Sequence, residues 1–161
     1  MKASLVVLLL AAAVCLTQAR RFRSDGCPEP YDRLDETRCI LADSFVSRTM
    51  NDSLAFCKTH SGHLLYIEDC VDQTLVLDYI HSEVGLAGKV YWVAASDNAE
   101  EGTWVWEHSK KPVPMGNPLW HYNQPSASTS NNCIQIHPTY DYRFLDANCN
   151  SKHMAICLRA V

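Results

Sequence analysis

The chain has 161 residues, 47% of them hydrophobic and 20% charged, and its formal net charge is −4 at pH 7. An acidic surface of this kind repels nucleic acid phosphates, and no stripe of lysine and arginine reverses that balance, so a nucleic acid partner is excluded. The one basic cluster is Arg20-Arg21-Phe22-Arg23. It is interpreted as a solvated tail or a trimmed pro-segment, with a membrane or polyanion contact as the alternative.

The first nineteen residues have the order of a secretory signal peptide. Lys2 supplies a positive start, residues 5–14 form an apolar run too short to span a bilayer, and Thr17-Gln18-Ala19 offers small residues for cleavage. Because Lys2 is the leader's one charged residue, cleavage leaves 13 basic and 18 acidic residues. We therefore predict a signal peptide at 1–19, a flexible basic N-terminus at 20–26, one extracellular domain at 27–161 and no membrane span.

The first predicted elements of the domain are a hairpin and a helix. The polar, proline-containing stretch between Cys27 and Cys39 predicts a small stapled hairpin. The spacing of Leu54, Cys57 and His60 then indicates a helix that stops at Ser61-Gly62. Its possible N-terminal caps are Ser47, Thr49 and Asn51.

A second helix is predicted over residues 68–84, with acidic side chains in its first turns, where they suit the helix dipole. Val71, Leu75 and Tyr79 are predicted to form its apolar stripe. Strand-like runs follow at 90–93, 103–106, 134–136 and 154–157. The long segment 107–132 contains four of the seven prolines, and a stretch of this kind inside a compact domain is usually functional. Two helices followed by short strands around a long loop predict an α+β domain.

Two motifs and the order of the cysteines resemble the C-type lectin-like domain family. Trp92-Val93-Ala94-Ala95 is a loose version of that family's Trp-Ile-Gly-Leu signature, and Glu101-Gly102-Thr103-Trp104-Val105-Trp106 resembles its Glu-Gly-x-Trp-x-Trp segment closely. Cys133, Cys149 and Cys157 follow in the family's order. The resemblance covers nearly the whole mature chain and implies a C-type lectin-like fold with two helices, antiparallel sheets, a long loop and disulfide staples.

Seven cysteines remain once the leader, which carries Cys15, is removed, and an odd number in a secreted chain leaves one without an intramolecular partner. The residues alone allow on the order of a hundred pairings. Resemblance to the family's long form implies the pairs Cys27–Cys39, Cys57–Cys157 and Cys133–Cys149. The middle pair would close a loop of about 100 residues, worth roughly 4–5 kcal/mol by a chain-entropy estimate.

The cysteine left over is Cys70, in the first turn of the second predicted helix. Three interpretations stay open: a small buried residue, a redox-active thiol, or an intermolecular bridge, and we hypothesise that it links a homodimer because an unpaired thiol in an oxidising compartment tends to find a partner. Asn51-Asp52-Ser53 is a sequon in the same region of the chain, and it makes Asn51 a candidate glycosylation site.

The resemblance also implies where a calcium ion would bind. In sugar-binding members, calcium sits on the long loop, and the positions of its ligands correspond here to Gln124-Pro125-Ser126, Asn131 and Leu145-Asp146. Calcium takes six to eight oxygens, and its affinity depends on the number of charged ligands. Gln124, Asn131 and Asp146 are therefore weak calcium candidates, Ser126 adds a poor hydroxyl ligand and Leu145 adds none. The resemblance thus implies a weak or empty calcium site, in which Pro125 follows a cis peptide bond.

Aromatic residues near this loop offer a second route to ligand binding, because flat rings with polar tips stack on sugars or anchor protein partners. Trp120 and Tyr122 are the ligand-binding candidates, with His121, Tyr140 and Tyr142 close to them in the sequence or on the neighbouring segment. The alternative is that Trp120 belongs to the core and that the others are ordinary loop aromatics.

No motif of an enzyme accompanies these features: the chain lacks GxSxG, a P-loop and a glycine-rich dinucleotide turn, so we predict that it is not an enzyme. The resemblance implies a secreted carbohydrate-binding protein, with glycans or microbial surface sugars as partners and a role in innate immunity by analogy with soluble invertebrate lectins. The alternatives are a lectin-like domain that binds a protein partner without calcium or sugar, and a structural protein of extracellular matrix or biomineral.

Overall fold

The computed structural model describes residues 26–126 and 128–161. The predicted signal peptide and nearly all of the predicted basic N-terminus lie outside the described residues. Across the described ranges, no helix combines the length and the hydropathy that a membrane crossing requires.

The described residues form two α-helices, a short 3₁₀ helix and eight strands. Six strands lie in the order β1-β2-β8-β4-β6-β7, while β3 adds to β8 and β5 adds to β4. All pairings are antiparallel except that of β4 with β8. The elements in chain order are β1 Asp32–Arg33, β2 Arg38–Arg48, α1 Met50–Thr59, β3 His63–Leu64, α2 Cys70–Ser82, β4 Tyr91–Ser96, β5 Val105–Trp106, β6 Cys133–His137, the 3₁₀ helix Pro138–Tyr140, β7 Arg143–Ala147 and β8 His153–Ala160. The predicted α+β class is confirmed.

Both helices begin at a side chain that caps free backbone N–H groups. The Thr49 hydroxyl accepts a hydrogen bond from the Asp52 N–H at 3.2 Å, so Thr49 is the cap of α1 among the three candidates. The Asp69 carboxylate accepts from the Val71 and Asp72 N–H groups, both at 2.9 Å, and starts α2. After α1 the chain passes close to β8, since a Cβ on Gly62 would lie 2.8 Å from the Leu158 carbonyl oxygen. The two predicted helices are therefore present, within a few residues of their predicted ends.

The predicted apolar stripe of α2 is wrong at Val71, whereas Tyr79 of that stripe packs against the core. Val76 and Ile80 are the residues that α2 buries, whereas Val71 is 62% exposed. Leu75, Val76, Leu77, Tyr79 and Ile80 place apolar side chains on most faces of this helix, so periodicity alone does not decide which face meets the sheet.

Three disulfides staple the domain, and they are the pairs that the resemblance implies. Cys27–Cys39 closes the N-terminal hairpin, and Cys133–Cys149 joins β6 to the turn after β7. Cys57–Cys157 joins α1 to β8 over a separation of 100 residues, and both of its cysteines are fully buried. Because β8 pairs with β2, β3 and β4, this bridge fixes the helix to the middle of the sheet.

Arg38 ties the N-terminal hairpin to α2. Its guanidinium lies 2.6 Å from the Asp35 carboxylate and 2.7 Å from that of Asp72. Burial raises the pKa of Asp35, but the hydrogen bonds and charge of Arg38 and the hydrogen bonds from Thr37 outweigh it and lower the pKa to about 2. The carboxylate therefore stabilises the folded state in its ionised form.

The lowered pKa of Asp35 predicts that the fold loses part of its stability at low pH. Stability from Asp35 is present above pH 4 and is lost as the pH falls from about 4 towards 2, because the unfolded chain takes up the proton first. Between pH 6 and pH 2, we expect the free energy of unfolding, measured in urea, to fall by about 1–2 kcal/mol more in the wild type than in Asp35→Asn. This range allows for solvent screening, because the Asp35 side chain is 22% exposed. Equal losses in the two proteins would contradict the ion-pair assignment.

Candidate ligand-binding surface

Asp146 is the one acidic residue at the predicted calcium position, and its carboxylate accepts hydrogen bonds from Ser126. The Ser126 hydroxyl donates to Asp146 Oδ2 at 2.5 Å, and the Ser126 backbone N–H donates to Oδ1 at 3.0 Å. The Asp146 N–H in turn donates to Gln124 Oε1 at 3.3 Å. Gln124 precedes a cis peptide bond to Pro125, as the resemblance implies. The tertiary structure thus brings together Gln124, Ser126 and Asp146, and joins them directly to each other.

The remaining calcium candidates do not complete a donor set. Leu145 is buried and has no oxygen in its side chain. Asn131 donates its backbone N–H to the Ser128 carbonyl at 3.0 Å, whereas the hydrogen bonds of the Asp146 side chain go to Ser126. Across the described residues, no three His, Cys, Asp or Glu side chains group to hold a metal ion. These positions supply one carboxylate, and each of its oxygens already accepts a hydrogen bond from Ser126. Because calcium requires several charged oxygen ligands, these residues do not fit a calcium ion.

Two buried oxygens nearby were not singled out from the sequence. Asp97 Oδ1 and Asn132 Oδ1 are buried without a hydrogen-bond partner among the described residues. The backbone joins the two residues, because the Asp97 N–H donates to the Asn132 carbonyl at 3.3 Å. Asp97 Oδ2 accepts from the Gly102 N–H at 2.9 Å, which fixes the turn before β5. Asp97 follows Trp92-Val93-Ala94-Ala95 closely and Asn132 precedes Cys133, and these positions are the sequence signal that could have identified the two residues. Asp and Asn are usually exposed, so the residue types by themselves do not predict burial.

Trp120 is a core residue, so its assignment as a ligand-stacking residue is wrong. Its side chain is 1% exposed and packs edge-on against Trp104 and Phe144, with ring centroids 5.3 and 5.6 Å away. The indole N–H donates to the Pro114 carbonyl at 3.0 Å, which satisfies its one polar atom inside the core. Tyr142 is also buried, and its hydroxyl accepts from the Gly88 N–H at 2.8 Å.

Tyr122 and His121 of this loop and Tyr140 of the 3₁₀ helix are aromatic side chains that reach solvent. Tyr122 is 79% exposed and is the most accessible of the three. The His121 ring contacts Tyr140 edge-on, with centroids 4.7 Å apart, so loop 107–132 and the 3₁₀ helix share one aromatic surface. We call Tyr122, His121 and Tyr140 the aromatic rim.

Cys70 is exposed and is the free thiol of the described chain. The interpretation of Cys70 as a small buried residue is therefore wrong: it is the first residue of α2, where no loop covers it. Asn51 is also exposed, while Ser53 of the same sequon is buried in α1. Glycosylation of Asn51 and the dimer through Cys70 stay predictions.

For the thiol, we expect the secreted protein to migrate as a covalent dimer in non-reducing electrophoresis, because an exposed cysteine in an oxidising compartment forms disulfides. Cys70→Ser should migrate as a monomer, and reduction should convert the wild type to the same position. A wild-type monomer without reductant would contradict the dimer.

Known proteins with similar sequences identify the family of this chain. The sequence profile of the Lectin C-type domain matches residues 46–159, which is more than half of the chain. The chain belongs to the C-type lectin domain family. Among its relatives, a perlucin-like protein of Mytilus galloprovincialis is 29% identical over 133 residues, covering 82% of each chain.

Solved structures share the C-type lectin fold. The carbohydrate-recognition domain of the mouse scavenger receptor C-type lectin superposes with a TM-score of 0.70 at 21% identity, covering 83% of this chain and 96% of that one. A calcium-independent type II antifreeze protein gives a TM-score of 0.70 at 24% identity, covering 84% and 95%. At these identities the structures establish the C-type lectin fold of this domain.

Proposed function

We propose that this C-type lectin domain is a secreted recognition protein that binds glycans without calcium, through the aromatic rim of its long loop. The observation that carries the proposal is the direct bonding of Asp146 by Ser126, at 2.5 and 3.0 Å. In this arrangement Ser126 holds the carboxylate in place, and these hydrogen bonds join the long loop to β7.

The three disulfides support an extracellular location, because such bonds persist in oxidising compartments. The family consists of binding domains, and one structural neighbour is a carbohydrate-recognition domain while another is a calcium-independent antifreeze protein. Carbohydrate recognition and calcium independence thus each occur among proteins of this fold. A role in innate recognition of microbial sugars is part of the proposal and rests on analogy with soluble lectins.

The aromatic rim supplies the binding chemistry. Tyr122 offers an exposed ring face and a hydroxyl, which suits one apolar face of a sugar and one of its hydroxyls. His121, its neighbour in sequence, contacts the Tyr140 ring edge-on and adds a second aromatic contact to the rim. None of the three is needed for the Asp146 hydrogen bonds, so the loop structure and the binding surface can be altered separately.

A glycan array probed in calcium and in EDTA tests the proposal. We expect the same glycans to be bound in both buffers, with Tyr122→Ala weakening binding about tenfold and Tyr122→Phe retaining most of it, because the ring supplies the contact. Met115→Ala, another exposed residue of the same loop, is the matched control and should bind like the wild type.

Two other outcomes would reject the proposal. Loss of binding on chelation would assign the ligand to a calcium site despite the bonded Asp146. Binding to no glycan in either buffer would favour the alternative of a protein partner recognised without sugar.

A further inference from the structure

A groove distinct from the Ser126–Asp146 cluster and the aromatic rim lies between α1, β3 and β4. Its volume is about 270 Å³, just below the usual range for ligand sites, so it suits a small ligand. It shares no residue with the Ser126–Asp146 cluster or the aromatic rim. Its lining consists of Leu54, Lys58, Gly62, His63, Leu64, Ala94, Glu107 and His108.

The floor of this groove is apolar. Leu64 of β3 and Ala94 of β4 are each 1% exposed and form its deepest part, and Leu54 of α1 is half-buried along one side. The Ala94 N–H donates to the Leu65 carbonyl at 2.7 Å, so backbone bonding holds the floor together. A short hydrocarbon chain or an aromatic ring suits such a floor, because its burial removes apolar surface from water.

The acidic group in the lining, the Glu107 carboxylate, already has an ion-pair partner within the protein. Glu107 accepts from the Ser96 hydroxyl at 2.5 Å and from the Lys110 ammonium at 2.7 Å. Burial raises the pKa of Glu107, but these two bonds outweigh it and hold the pKa below the ordinary value. The carboxylate therefore stays ionised and paired, and it offers little attraction to a cationic ligand.

The other polar side chains of the lining are Lys58 and two histidines, and Lys58 has no anionic partner among the described residues. The Lys58 ammonium, in the last turn of α1, makes no ion pair or hydrogen bond among the described residues. His63 and His108 also line the groove, with ring centroids 5.9 Å apart, and His108 packs on Tyr66 at 4.3 Å. Burial lowers the pKa of His108, so its imidazole favours the uncharged form and Lys58 supplies the positive charge. An apolar floor edged by a free ammonium and two imidazoles matches a ligand with an apolar body and an anionic end.

We propose that this groove binds small carboxylic acids, with the hydrocarbon part on Leu54, Leu64 and Ala94 and the carboxylate at Lys58. The proposal is independent of glycan binding, because the two surfaces have no residue in common.

Octanoate is the probe, titrated into the isotope-labelled protein and followed by amide chemical shifts. We expect saturable binding with the largest shifts at Leu64, Ala94 and His108, and an affinity about tenfold lower in Lys58→Gln, which removes one charge-assisted hydrogen bond at a partly exposed site. Lys152→Gln, an exposed lysine elsewhere, should bind octanoate like the wild type.

Two comparisons separate charge recognition from unspecific apolar contact. We expect octanol and octylamine to bind at least tenfold more weakly than octanoate, since neither can accept hydrogen bonds as an anion at Lys58. Tyr122→Ala should leave the octanoate titration unchanged, which distinguishes this site from the aromatic rim. The proposal would be overturned by octylamine binding as tightly as octanoate, by shifts centred on other residues, or by the absence of saturable shifts.

Discussion

Replacing both Cys57 and Cys157 by alanine is expected to lower the free energy of unfolding by about 4–5 kcal/mol in a chain-entropy estimate. The bridge closes a loop of 100 residues, and both sulfurs are buried between α1 and the central strand β8. A loss of that size is comparable to the whole stability of many small domains. Urea unfolding followed by circular dichroism measures this loss of stability. A variant that is already unfolded in buffer would correspond to the upper end of the expected loss.

The matched control is the double variant of Cys27 and Cys39, which opens a loop of 12 residues. Since loop-closure entropy grows with loop length, this variant should lose about 3 kcal/mol, less than the first. Stability of the Cys57/Cys157 variant within about 1 kcal/mol of the wild type would contradict the role of the bridge.

The second large effect is a difference in stability between a variant of the core residue Trp120 and a variant of the exposed residue Tyr122. Trp120→Ala is expected to lower the free energy of unfolding by about 3–5 kcal/mol, because it leaves a cavity beside Trp104 and Phe144 and an unpaired Pro114 carbonyl. Tyr122→Ala, two residues away and 79% exposed, should change it by no more than about 0.5 kcal/mol.

Thermal or urea unfolding of the two variants side by side tests this contrast, with Trp120→Phe as an intermediate that retains a ring. We expect Trp120→Phe to lose less than Trp120→Ala, because part of the packing volume remains. A Trp120→Ala protein as stable as Tyr122→Ala would contradict the placement of Trp120 in the core.

The sequence predicted the parts of the fold that depend on local signals. The capping residues Thr49 and Asp69 lie next to the helices that they start, so the two helices could be recognised within a few residues. The short strands β4, β6 and β8 were also indicated, because each contains a run of apolar or aromatic residues in which β-branched side chains recur.

Strands β2 and β7 were not predicted, for a physical reason. β7 includes Asp146, and β2 includes Asp43, both of which are unfavourable in strands unless a partner satisfies the carboxylate. In the fold, Ser126 bonds Asp146 and Arg48 pairs with Asp43 at 2.7 Å. Side chains that look like turn residues in the sequence are thus accommodated by contacts formed only in the folded chain.

By itself, the sequence determined the disulfide-rich class, the two helices and membership of a lectin-like family, because cysteine order, caps and tryptophan motifs are written along the chain. Only the tertiary structure decided that α2 buries Val76 and Ile80, that Cys70 is exposed and that Trp120 lies in the core. It also decided the state of the predicted metal position, where Ser126 reaches Asp146 across 20 residues of sequence. Contacts at that separation depend on how loop and strand come together, and no local pattern encodes them.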